Sequence, residues 1–291
     1  MGQSLKTCLT GIGLGIAGGI VVLAPGTNAL QVQITPINPR LGDTLSVIVQ
    51  ADGQDVPDSV PSLRLNDHVF PLFALGNHRF RALLPTTPLD SPGRLTIHVT
   101  QGEVNRNLAI ALRARQFPTQ SIWLPPSRNQ PISEAEFDRV DAFKRIVTPK
   151  KLWSGAFLRP NQGLVSGAYG IRRYYNGVFA KDYYHRGVDY AGGYGSPVIA
   201  PAAGRVALVG LEQNGFRING NMIGIDHGQG VTSAYLHLSR ILVKEGDWVK
   251  PGQVIGAVGA TGAVTGPHLH WGLYVHGLAV DPVPWRDQGF E

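Results

Sequence analysis

The sequence predicts a mainly β chain, two β domains joined by a linker that carries one helix. Three observations lead there. Glycine and proline number 37 and 21 in 291 residues, as expected of short strands separated by many turns. Apolar residues recur with period two: Leu45, Val47 and Val49 alternate with Ser46, Ile48 and Gln50, and Leu95, Ile97 and Val99 alternate with Thr96 and His98. That period places successive side chains on opposite faces of a strand. Turn clusters such as Asn38-Pro39-Arg40-Leu41-Gly42-Asp43 and Asp90-Ser91-Pro92-Gly93 punctuate the runs.

Residues 1–29 read as a signal peptide. Lys6 precedes an apolar run from about Cys8 to Ala24, followed by Pro25, Gly26 and the small-residue site Thr27-Asn28-Ala29, and cleavage is expected after Ala29. The run is glycine-rich and short for a membrane span, so an uncleaved anchor is the lesser reading and no stable membrane insertion is expected after cleavage. The single cysteine, Cys8, falls in this segment. The mature chain would then have no disulfide and no thiolate metal site, and any metal must use histidines and carboxylates.

Residues 30–124 hold the alternating runs and turn clusters described above, the spacing of a small immunoglobulin-like β-sandwich, and no catalytic constellation. Residues 125–152 form the linker. In it Ser133-Glu134-Ala135-Glu136 reads as a capping box, followed by Phe137, Val140, Phe143, Ile146 and Val147 at helical spacing and by Pro149 as a stop. Residues 153–291 are a second, glycine-rich β domain with strand runs at Val206-Ala207-Leu208-Val209 and Met222-Ile223-Gly224-Ile225. The paired glycines between Val243 and Gly256 suit a barrel-sandwich arrangement of antiparallel strands. That stretch also looks like half of a lipoyl or biotinyl carrier, but no lysine stands in a hairpin to take the cofactor.

The formal charge of +6 suits an anionic partner such as an acidic wall polymer. The basic residues are scattered, with no basic run interleaved with aromatics, so nucleic acid is not an expected partner.

Four of nine histidines gather in three segments: His185 with Asp189 in HRGVD, His237 in AYLHLS, and His268 with His270 in GPHLHWGL. In extended chain His268 and His270 project to one face, and an extended stretch would do the same for His185 and Asp189. Two such pairs can converge on one ion. Three nitrogen and oxygen ligands with an open fourth position are the pattern of a catalytic zinc site, where bound water loses its proton near neutral pH. The other histidines, His68, His78, His98, His227 and His276, have no partner motif and read as structural or exposed, with His227 placed to support a turn near the site.

These motifs resemble the lysostaphin-like, or LytM-type, zinc peptidases of peptidoglycan. The resemblance runs from about Trp153 to Pro284 and includes GVDYAG, GSPVIAPAAGRV, IDHGQGVTSAYLHLS and TGAVTGPHLHWGL. It implies a secreted or periplasmic, wall-associated zinc endopeptidase that cuts peptide cross-links. One Zn2+ per chain would be held by His185, Asp189 and His270. It further implies His268 as general base and His237 as the group that orients water or stabilises the oxyanion, two roles that could exchange. The substrate would be stem peptides or cross-bridges of peptidoglycan, with the direct cross-link favoured over a glycine bridge. A non-catalytic wall-binding or amidase-activating protein of the same fold is the alternative; retention of all five residues argues against it. The segment Arg172-Arg173-Tyr174-Tyr175, with Tyr183 and Tyr184, is a candidate groove wall for substrate carboxylates.

Overall fold

The computed structural model describes residues 30–51, 60–129 and 131–290; the expected signal segment 1–29 lies outside them. The first eight strands are β1 (Gln31–Thr35), β2 (Thr44–Gln50), β3 (Ser62–Leu65), β4 (His68–Phe70), β5 (Phe73–Gly76), β6 (Arg79–Pro85), β7 (Gly93–Gln101) and β8 (Val104–Leu112). They pair into two antiparallel sheets, ordered β1-β2-β6-β5 and β4-β3-β7-β8. Leu45, Val47 and Val49 of β2 meet Leu63, Ile97 and Val99 of the other sheet in one core. The period-two runs of the sequence are the inward faces of this pair of sheets.

Strand β6 breaks that alternation. From Arg81 to Pro85 every residue is buried, because its second face is covered by the other half of the molecule. Leu83 belongs to the core of that second half. Arg81 is fully buried, lies 5.1 Å over the Trp153 ring and bonds the Gln229 amide oxygen. Further ties cross the same boundary: Arg115 to Asp281 at 2.7 Å, Trp285 Nε1 to Thr44 Oγ1 at 3.1 Å, and Asp281 N to Gly42 O at 2.8 Å.

The second half begins with β9 (Thr119–Ile122) and the helix α1 (Glu134–Lys144). It continues through β10 (Leu164–Gly167), β11 (Arg172–Tyr175), β12 (Val178–Phe179), β13 (Val188–Ala191), β14 (Pro197–Ile199), β15 (Gly204–Gly210) and β16 (Met222–Gly228). It ends with β17 (Val231–Leu236), β18 (Leu238–Ile241), β19 (Trp248–Val249), β20 (Val254–Val258), β21 (Leu269–Val275), β22 (Leu278–Val280) and α2 (Pro282–Asp287). The main sheet runs β10-β13-β21-β17-β16-β15-β19, with β22 on β21, and two three-stranded sheets, β14-β20-β18 and β12-β11-β9, flank it. Strands β16, β17 and β21 are buried along their whole length, which gives the site a rigid floor. Among the described residues no helix is long and apolar enough to cross a membrane.

Helix α1 is capped as its sequence predicts, Ser133 Oγ accepting from Glu136 N at 3.1 Å. Its inward face differs from the predicted stripe: Val140 and Phe143 are buried, whereas Phe137 and Val147 are 54% and 45% exposed. The helix ends at Lys144, so Val147 is not on it, and its orientation is set by Phe143 seated against Gly224 of β16, where a Cβ would strike the ring.

Candidate metal centre

The five residues singled out in the sequence come together at one end of β13, β17 and β21. In the antiparallel register Asp189 of β13 stands opposite His270 of β21, and His270 stands opposite Leu236 of β17. His237 follows β17 directly. His268 precedes β21 and bridges to Gly259. His185 reaches the same place because its backbone N–H bonds Ile171 O at 2.8 Å just before β13 begins.

Three atoms form a tight triangle: His185 Nε2 to Asp189 Oδ1 at 2.9 Å, His270 Nδ1 to the same oxygen at 2.9 Å, and His185 Nε2 to His270 Nδ1 at 3.0 Å. Among the described residues this is the one group of three or more His, Cys, Asp or Glu side chains placed to hold a metal. His185 Nδ1 lies 2.7 Å from Ala168 O, so in its neutral form the ring donates there and turns a lone pair at Nε2 into the triangle. Three electron-rich atoms then face each other at separations close to the edge of a tetrahedral zinc shell, about 3.3 Å for bonds near 2.0 Å. A cation removes their mutual repulsion, and the backbone carbonyl behind His185 is the usual outer partner of a metal-bound imidazole. The donor set therefore fits zinc.

The electrostatics favour ligand forms. Burial alone would raise the Asp189 carboxyl, but the adjoining His185 and His270 rings hold it well below the usual carboxylate range. Burial lowers His270 to about 4 against the opposing pull of Asp189. Burial, reinforced by the neighbouring His268 and His270, likewise lowers His237. The second pair stands beside the triangle. His237 and His268 have ring centroids 4.9 Å apart, and His268 Nε2 is 3.8 Å from Asp189 Oδ1. Each has its Nδ1 on a backbone carbonyl, His237 on Thr261 O at 3.0 Å and His268 on Gly266 O at 2.9 Å. In its neutral form each ring thus leaves Nε2 as an acceptor.

Two glycines are required by close approach. A Cβ on Gly187 would strike Trp271 O and come within 2.8 Å of His270 Nε2, and one on Gly167 would strike Asp189 Oδ2. The arginine pair divides, as neighbours in a strand must. Arg172 turns away to Lys181 O and over the Phe179 ring, while Arg173 brings Nη2 to 3.3 Å from Asp189 Oδ2. Gln120 and Tyr175 hold that guanidinium from its other side. The sequence marked both arginines as groove cations but held no sign that one of them backs a ligand. His227 is fully buried in the fold, on Ala203 O and Ser233 Oγ.

The site opens into a cavity of about 830 Å³ whose lining includes Asp189, His237, His268 and His270 together with Gln120, Trp123 and Arg128 from the stretch that precedes α1. That stretch crosses from one wall to the other. Its β9 pairs in parallel with β11, and Arg128 Nη1 donates to Ala260 O and Val264 O at 3.2 and 2.8 Å on the far side.

Residues 183–282 match Peptidase family M23. Over 98 residues, 34% of this chain, the sequence is 45% identical to the peptidoglycan DD-endopeptidase ShyC of Vibrio cholerae. Over 106 residues, 35% of this chain, it is 42% identical to lysostaphin of Staphylococcus staphylolyticus. The chain spans 22% of the length of each of these relatives. A crystal structure from Pseudomonas aeruginosa, provisionally assigned to peptidase M23, superposes with a TM-score of 0.63 at 27% identity over 87% of this chain and 96% of its own. That likeness extends across both halves of the molecule.

Proposed function

Residues 183–282 form a metallopeptidase domain of peptidase family M23, and from this premise we propose that the protein is a secreted, zinc-dependent endopeptidase that hydrolyses peptide cross-links of bacterial peptidoglycan. The observation that carries the reading is the convergence of His185 Nε2, Asp189 Oδ1 and His270 Nδ1 within 3.0 Å of one another, flanked by two further imidazoles. Those three atoms would hold the zinc ion. When bound, zinc supplies Lewis acidity, which polarises a peptide carbonyl and makes water nucleophilic near neutral pH.

The chain's own residues would do the rest. His268 Nε2 accepts a proton from the attacking water and returns it to the departing amine, a transfer its partly open position permits. His237, with Nδ1 donated to Thr261 O, offers Nε2 as an acceptor. That polarity favours orienting water over stabilising an oxyanion, which needs a donor. Arg173 steadies the second oxygen of Asp189, which would leave Oδ1 as the ligand atom. The cavity beside these residues would take the extended peptide.

The Vibrio cholerae relative, named a DD-endopeptidase, supports the direct stem-peptide cross-link as substrate over a glycine bridge. An address outside the cytoplasm rests on the signal-like segment and on where such a substrate is found. Digestion of purified sacculi by the mature protein, with mass analysis of the released muropeptides and zinc determination, tests the proposal. Stoichiometric zinc and monomers released from cross-linked dimers are expected. A folded protein with neither would be the non-catalytic wall-binding protein instead.

A further inference from the structure

We propose that Glu136 of the linker helix is a positioning residue for His237, so that α1 is part of the hydrolytic unit although it lies outside the matched residues 183–282. The proposal rests on the function inferred above for His237.

Glu136 occupies the third helical position, where a capping-box glutamate ordinarily bonds back to the N-cap backbone. Here it does something else. The side chain is fully buried and accepts from the backbone N–H groups of Arg217 at 2.8 Å, Ile218 at 3.2 Å and Asn219 at 2.7 Å, and from Asn219 Nδ2 at 2.8 Å. Three consecutive backbone donors aimed at one carboxylate make an anion nest, and an ionised acceptor strengthens each bond. Ser133 adds a second tie, donating from Oγ to Gly215 O at 2.9 Å. The helix thereby fixes the loop before β16.

That loop holds His237. Asn219 O accepts the His237 backbone N–H at 3.1 Å, and Asn221 O accepts that of Leu238 at 2.9 Å. The ring is held through the same loop at one remove. Thr261 O accepts from Nδ1, while Thr261 Oγ1 accepts from Asn221 N at 2.9 Å and donates to Leu238 O at 3.0 Å. His237 also has a φ of 66°, a left-handed conformation that a non-glycine residue keeps only where its surroundings over-determine it. Glu136, the 217–221 loop and Thr261 are those surroundings. Loosening the carboxylate releases the loop and lets His237 relax, leaving Asp189 and His270 on their strands and His185 tied to Ile171 O and Ala168 O.

The test is Glu136→Gln, which keeps the shape and sets an amide NH2 against backbone donors. Amide hydrogen exchange in the full-length protein should accelerate about tenfold or more at Arg217, Ile218, Asn219 and His237 while β17 and β21 keep their protection. Zinc content should stay stoichiometric, kcat should fall about 10- to 100-fold, and KM should stay within about twofold. In a His237→Ala background the same change should alter kcat by less than about twofold, because the carboxylate acts through a ring no longer present. Glu136→Asp, which retains the charge with a shorter reach, should recover part of the loss, and it carries the same readouts if the glutamine variant is poorly folded. Unchanged exchange at His237, or an equal loss of kcat in both backgrounds, overturns the proposal. Exchange is read without substrate, so failure of the peptidase reading would appear separately, as a wild-type protein that does not cleave.

Discussion

Asp189 and His270 stand directly opposite each other in the register of β13 and β21, with Oδ1 and Nδ1 2.9 Å apart. Two of the three proposed ligands are thus fixed by a strand pairing inside the core rather than by loops, which favours a metal site preorganised before zinc arrives.

Alanine at His185, Asp189 or His270 is expected to remove bound zinc and hydrolysis together, since each supplies one corner of the triangle. Alanine at His237 or His268 should leave zinc in place and lower turnover by about 100-fold or more, the scale of a missing proton-transfer group. Metal analysis alongside a muropeptide release assay separates the two classes. A His268→Ala protein with full turnover would remove it as the base.

Arg173→Gln should weaken zinc binding about 10- to 100-fold, the usual cost of removing a partner behind a ligand. The substitution takes away the bond from Nη2 to Asp189 Oδ2, which spans 3.3 Å between two side chains each 11% exposed. Competition with a chromophoric chelator measures the weakening. Arg172→Gln serves as the comparison and should change little, because its guanidinium points to Lys181 O and Phe179.

Gly187→Ala is expected to destabilise the protein by about 1–3 kcal/mol, the range for overpacking a closed site, and to displace His270. Its Cβ would collide with Trp271 O, which is sheet backbone and cannot swing aside. Thermal unfolding and zinc content should therefore fall together, unlike the effect of Arg173→Gln.

Stability should decline with acid between pH 6.5 and pH 4 through groups remote from the zinc ligands. Burial lowers both His227 and His276 to about 4 from 6.5. The unfolded chain binds protons in that window that the folded chain refuses, so stability is present above pH 6.5 and lost as pH falls. His227 alone accounts for about 3 kcal/mol of the total loss across that window. Urea unfolding at pH 7 and pH 5 measures the loss, and His276→Gln, at a position that packs against Phe70 of the first half at 5.7 Å, should flatten part of it.

Much of this was legible in the chain. The alternation of Leu45, Val47 and Val49 marked the first core because a strand with one buried face must alternate. Strand β6 did not alternate, since its second face is covered by residues far along the chain. The helix start at Ser133 was readable because capping is local; the destination of Glu136 was not, because its partners lie 81 to 83 residues away.

The same division holds at the site. By itself the sequence supplied the residue types, four imidazoles and a carboxylate in HRGVD, AYLHLS and GPHLHWGL, and its family resemblance proposed which three of them would hold a metal. Tertiary structure alone decided which atoms meet. Strand register set Asp189 against His270, the Ala168 carbonyl turned His185 Nε2 inward, and the alternation of β11 sent Arg173 to Asp189 and Arg172 away from it. Residue types follow from chemistry that any position can state, whereas donor distances depend on how distant strands and a linker helix pack, which no local pattern encodes.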